Sequence, residues 1–86
     1  MSLKSKHQKT LVAIFDAPTR SDVAWADIEN LLSAVGAELT EGRGSRLRVY
    51  LNGIRAVFHR PHPQKETDKG VLKSVQRFLA MAGIKP

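Results

Sequence analysis

Apolar side chains recur along this chain in two different periods, and the change of period separates helices from strands. Residues 7–15 carry Leu11, Val12, Ile14 and Phe15 among Gln8, Lys9 and Thr10, which predicts a short helix that stops before Pro18. Residues 17–22 read as a loop. Residues 24–35 then place Trp25, Ile28, Leu31, Leu32 and Val35 at helical spacing, with Asp27, Glu29, Asn30 and Ser33 facing away. Gly36 supplies a left-handed stop.

Beyond Gly36 the period falls to two. Residues 37–41 alternate weakly and predict a short strand, and Gly42-Arg43-Gly44-Ser45 makes a loop or bulge. Two stronger strands follow, 46–51 and 54–59, joined by Asn52-Gly53. That dipeptide suits a type I′ turn, which needs positive φ at both central positions. A two-residue turn fixes the pairing: Leu51 with Ile54, Tyr50 with Arg55, Val49 with Ala56, Arg48 with Val57, Leu47 with Phe58, Arg46 with His59. Residues 60–68 contain Pro61 and Pro63 and cannot form a central strand or a helix interior. Residues 69–82 close the chain as an amphipathic helix. Val71, Leu72, Val75, Phe78, Leu79 and Ala82 lie on one side, with Thr67 or Asp68 as N-cap and Gly83 as terminator. The order is helix, helix, three antiparallel strands, helix: an α+β domain in which helices cover the apolar face of one sheet.

Composition narrows the function. The 86 residues include no Cys, which excludes disulfide scaffolds, zinc ribbons and thiol nucleophiles and suits a reducing, cytoplasmic setting. No apolar run approaches a membrane span, and residues 1–9 lack the hydrophobic stretch of a secretory signal. The formal charge of +6 is unevenly spread: residues 1–41 hold four basic and six acidic side chains, residues 42–86 ten and two. A polyanionic partner follows, with nucleic acid first.

The hairpin register says where that charge goes. Leu47, Val49, Leu51, Ile54, Ala56 and Phe58 share one face, while Arg46, Arg48, Tyr50, Arg55, Val57 and His59 share the other. Three arginines on one small face repel each other unless an anion joins them. Arg48 and Arg55 can bind phosphate and Tyr50 can carry a base or ribose; a merely solvated basic face is the alternative. His59 is the one group there suited to proton transfer near neutral pH, with Arg46 directly across to hold a phosphate as charge develops. A strand-end His bonded to a backbone carbonyl is the competing reading. Arg60 and His62 extend this region. Lys69, Lys73 and Arg77 recur every four residues on the last helix, as phosphate contacts or as solvated cations. His59 and His62 have an H-x-x-H spacing, but prolines intervene and neither Cys nor a nearby carboxylate completes a shell, so no metal is expected.

These residues resemble a known family. Leu31 to Gly36 as a helix end, Gly44-Ser45 opening a strand, His59, Pro61, His62 and Pro63 after the second hairpin strand, and Lys69-Gly70 leading a helix that ends in Ala82-Gly83-Ile84 are similar to the HicA toxins of bacterial type II toxin–antitoxin modules. The resemblance covers roughly residues 22–85. It implies an α-β-β-β-α fold like that of double-stranded RNA-binding domains, here at residues 22–86 behind an N-terminal helical extension at 1–21. It also implies a cofactor-free, metal-independent endoribonuclease acting on mRNA, and a HicB-like antitoxin that covers the active surface. Many members carry His directly after the Gly-Ser pair, where this chain has Arg46, so the resemblance does not supply the catalytic group. His59, across from Arg46, is the candidate to replace it. A non-catalytic RNA-binding module and a protein-interaction domain with an acidic partner are the alternatives. The extra helix, with Leu11, Ile14 and Phe15, either packs on the domain or mediates dimer formation.

Overall fold

The computed structural model describes residues 3–62 and 64–86; Pro63, one of the motif prolines, lies outside the described residues. The chain forms α1 (Ser5–Ile14), α2 (Trp25–Ala34), β1 (Glu38–Glu41), β2 (Arg46–Leu51), β3 (Ile54–His59) and α3 (Lys69–Met81), with antiparallel strands in the order β1-β2-β3. This is the expected α-β-β-β-α arrangement behind an additional helix, consistent with a double-stranded RNA-binding-domain-like fold.

Local chemistry accounts for the element ends. Asp68 caps α3, its Oδ1 accepting from the Val71 N–H at 2.8 Å. Gly36 and Gly83 take φ of +92° and +84° just past α2 and α3, and the Ala37 and Ile84 N–H groups return to the Leu32 and Leu79 carbonyls. Both ends are thus closed by left-handed residues that release the chain toward its next segment. In the hairpin turn Asn52 has φ +50° and Gly53 φ +83°, and all six expected β2–β3 pairs are present.

The core fills the space between the sheet and the three helices. Leu47, Val49, Leu51 and Phe58 are buried on the sheet, facing Ile28, Leu31 and Leu32 of α2 and Leu72, Val75, Phe78 and Leu79 of α3. Phe58 packs edge-on between Trp25 and Phe78, with centroids 6.1 and 5.8 Å away, and so joins α2, β3 and α3. The N-terminal helix belongs to the same core: Leu11 and Ile14 are buried and α1 packs on both α2 and α3. Burying two such side chains contributes about 3–6 kcal/mol, a large share of a small domain's stability. Of the two roles open to α1, packing on the domain is therefore the one observed.

One polar cluster fastens the edges of this assembly. Arg60, directly after β3, reaches beneath the sheet. Its Nη1 and Nη2 donate to the two Glu41 carboxylate oxygens at 2.6 and 2.8 Å, and its Nε donates to Glu29 Oε2 at 2.7 Å. The same Glu29 oxygen accepts from Trp25 Nε1. The end of β3, the end of β1 and the middle of α2 thereby meet at one guanidinium in a two-sided fork. The Glu41 hydrogen bonds, then those of Glu29, hold Arg60 above the ordinary arginine range, and Arg60 holds the Glu41 carboxyl below its usual value. Glu29, expected to face away, is thus half-buried and engaged.

Two measurements test this account. Ile14→Ala should cost about 2–5 kcal/mol in urea denaturation, whereas Val12→Ala, at an exposed site of the same helix, should stay within about 0.5 kcal/mol. Because the folded-state pKa of Glu41 is depressed, its stabilisation is present above about pH 4.5 and is lost as the pH falls through the folded value. Glu41→Gln should lower Tm at pH 7, and the gap from the native chain should close toward pH 3.

Candidate functional site

Pairing of β1 extends the expected basic face into a grid of three rows. β1 pairs Glu38 with Tyr50 and Thr40 with Arg48, and β2 pairs the same residues with Arg55 and Val57. The first row is Glu38, Tyr50 and Arg55, and the second is Thr40, Arg48 and Val57. In the third, Arg46 stands beside His59, and the β1 side is occupied by Gly42, whose N–H bonds the Arg46 carbonyl at 2.9 Å. A Cβ at Gly42 would come within 3.0 Å of Arg46 Cβ. A side chain there would crowd Arg46, and with glycine in place the row carrying His59 and Arg46 is open on that side.

The hydrogen-bond phase brings His59 and Arg46 close. The Arg60 N–H donates to the Ser45 carbonyl at 2.8 Å, making the next pair along the hydrogen-bonded one. His59 and Arg46 are then a non-hydrogen-bonded pair, whose Cα atoms lie about 4.5 Å apart, the closer of the two antiparallel spacings. Both side chains are exposed. Phe58, buried one residue earlier, and Arg60, clamped one residue later, hold the strand on either side of the imidazole.

The face is cationic but not uniformly so. Among the described residues Arg46, Arg48 and Arg55 enter no ion pair. The Arg55 guanidinium lies 5.4 Å from the Tyr50 ring centroid, so ring and cation form one stacked unit. Glu38 adds a carboxylate at the far row, where the hairpin alone offered none. A shallow depression of about 540 Å³ covers the first two rows, lined by Glu38, Thr40, Arg48, Tyr50, Arg55 and Val57.

The other candidates lie elsewhere. Arg60 faces the Glu29–Glu41 clamp and not the open face, with its donors directed to carboxylates. His62 is exposed in the loop that follows β3. That loop is drawn back to α2, since Trp25 N–H donates to the Lys65 carbonyl and Thr67 N–H to the Val23 carbonyl. Lys69 and Lys73 are exposed on α3, in the layer opposite the basic face. Arg77 alone of that series reaches the sheet, at a groove beside Arg55 and Val57.

Three contributors escape a reading of the hairpin by itself. Glu29 is one helical turn from Trp25, a spacing that places both on one side of α2. Glu38 and Gly42 follow once the Arg43-Gly44-Ser45 loop is counted as a three-residue connection with Gly44 at φ +61°.

Neither a curated protein nor a solved structure matches this chain significantly. The family described as "HicA toxin of bacterial toxin-antitoxin" matches residues 25–84, from the first residue of α2 to just beyond α3, leaving α1 outside. Within that span lie the sheet, its open basic face and the clamp. A toxin of such a system works with an antitoxin partner. With more than half of its length covered, this chain belongs to the HicA toxin family of bacterial toxin–antitoxin systems.

Proposed function

We propose that the open sheet face is a ribonuclease site and that the toxin acts by cutting mRNA in the cytoplasm. The observation that carries this reading is the third row: an exposed imidazole and an unpaired guanidinium on adjacent strands, with the neighbouring strand cleared by Gly42. His59 accepts the proton of a ribose 2′-OH, and the resulting oxygen attacks the adjacent phosphorus. The bond from phosphorus to the 5′-oxygen breaks, and that oxygen takes a proton from the imidazolium, directly or through a water molecule that the imidazolium reprotonates. The products are a 2′,3′-cyclic phosphate and a 5′-hydroxyl. Arg46 holds the phosphate oxygens as negative charge accumulates, and Arg48 binds the neighbouring backbone. The Tyr50–Arg55 stack offers a platform for a base. Arg60 positions the end of β3 through its carboxylates, without contacting RNA. No step requires a metal ion or a cofactor, and a HicB-like antitoxin is the partner this reading expects.

A specific departure keeps an RNA-binding alternative in the test, since Arg46 stands where many family members carry His. Purified protein should cleave RNA in EDTA, and His59→Ala should lower the rate about a hundredfold or more with Tm unchanged. Cleavage that survives His59→Ala would remove the imidazole from the mechanism. Intact RNA under conditions of tight, salt-sensitive binding would make the chain a binder only. Arg48→Ala should reduce the salt slope of RNA binding by about one. Expression in a bacterial host should arrest growth, with relief by the co-expressed antitoxin.

A further inference from the structure

Among the described residues the outer edge of β3 is unpaired. The strand is the last of the sheet and six residues long. The bonds from Arg60 N–H to Ser45 and from Gly42 N–H to Arg46 fix the alternation. Phe58, Ala56 and Ile54 bond inward to β2. His59, Val57 and Arg55 therefore turn their N–H and C=O groups outward. The opposite edge is different: β1 has four residues, and its terminal Glu41 is held by Arg60. Sheet edges are usually blunted by shortness, proline, bulges, cover or charged side chains; among the described residues β3 shows only the last, in Arg55, and an acidic partner would turn that charge into an attraction.

What borders this edge defines its occupant. Above it, on the open face, stand Arg55 and His59, with Val57 between them at 53% exposure. Below it, between β3 and α3, runs a groove of about 210 Å³ whose lining includes Ala56, Phe58, Phe78 and Met81, with Arg77 at its rim. Met81, at 63%, is the most exposed large apolar side chain on α3. A strand added to β3 would project alternate side chains to these two sides. Those beside Arg55 and His59 meet a guanidinium and an imidazole, and those turned toward α3 meet an apolar trough. A second copy does not fit, because an isologous pairing centred on Val57 sets Arg55 against the other copy's His59 and gathers the two basic faces together.

We propose that the β3 edge accepts an extended segment of the antitoxin that alternates acidic with apolar residues, adding a fourth strand to the sheet. The acidic side chains lie over Arg55 and His59, and the apolar ones enter the groove beside Met81 and Phe78. The antitoxin's identity as the donor rests on the toxin reading; the chemistry of the edge does not. Strand addition uses main-chain hydrogen bonds for affinity and alternate side-chain pockets for specificity, and both are present here. RNA can meet the same Arg55 and His59 but cannot complete the backbone ladder.

The test uses the full chain and two heptapeptides of sequence Glu-Val-Glu-Val-Glu-Val-Glu with blocked ends. One is N-methylated at two of its three valines, whose N–H groups would point away from β3, and the other at its two internal glutamates, whose N–H groups would point toward it. Charge and composition are the same. The valine-methylated peptide should bind at millimolar concentration or below and slow amide exchange at Arg55, Val57 and His59 at least tenfold, leaving Ala56 and Phe58 unchanged. The glutamate-methylated peptide should not. Met81→Glu should weaken binding tenfold or more with Tm preserved. Equal binding by both peptides reduces the effect to charge and overturns the proposal, as does the absence of edge protection. Alternating protection produced by an RNA oligonucleotide and not by the peptide overturns it in favour of nucleic acid. Exchange is read on purified protein, so failure of growth arrest would sink the toxin reading and leave this result standing.

Discussion

The two-residue turn at Asn52-Gly53 is the constraint on which the remainder of the structure depends. Both residues have positive φ, and a turn of that length allows one register between β2 and β3. A slip of one residue would exchange Leu47, Val49 and Leu51 for Arg46, Arg48 and Tyr50 on the face packed against the helices. Each large apolar side chain so exposed forfeits about 1.5–3 kcal/mol, and three of them approach the entire stability of a small domain. The turn is also tied down from outside, since Asn52 Nδ2 donates to the Ala82 carbonyl beyond α3 at 2.8 Å. The pairing of His59 with Arg46 is consequently as secure as the core, although both side chains are exposed.

The charge distribution divides along the same lines. Four carboxylates of the first half of the chain are engaged, Asp16 and Asp22 locally with Arg20 in the loop before α2, and Glu29 and Glu41 at long range with Arg60. Arg60 is the one cation of the sheet region drawn out of the positive excess, and it braces the strand that carries His59. The three arginines on the open face enter no such pair. The distinction matters for partners, because a guanidinium already forked between carboxylates has few donors left for phosphate, whereas Arg46 and Arg48 keep theirs.

Much of this was legible in the sequence where the controlling interactions are short in range. Hydrophobic period, a capping Asp68, stop signals at Gly36 and Gly83 and the Asn-Gly turn locate the elements, and the turn alone yields the six β2–β3 pairs. The parts less accessible depend on contacts between residues far apart in the chain. Nothing near Glu29 says that Arg60 will return to it, 31 residues later. Glu38 enters the basic face only because the loop before Ser45 closes with β1 alongside β2, a pairing that a weakly alternating four-residue strand does not announce. The docking of α1 was ambiguous for the same reason, since an apolar stripe records that something is covered but not by what.

His59 belongs at once to the open face, by its side chain, and to the free edge, by its backbone. A strand seated on β3 would lie against the imidazole and place acidic groups between Arg55, His59 and any approaching phosphate. On that proposal, neutralisation would need no rearrangement of the toxin, because the docked segment and RNA would compete for the same Arg55 and His59 side chains. The requirement falls on the occupant, which must be extended, acidic on one side and apolar on the other. RNA satisfies the charge but lacks the alternating backbone donors, and a second copy of the chain satisfies the backbone but carries the wrong charge. On that proposal, discrimination between RNA, self and partner would arise from one strand whose side chains and main chain present two different chemistries.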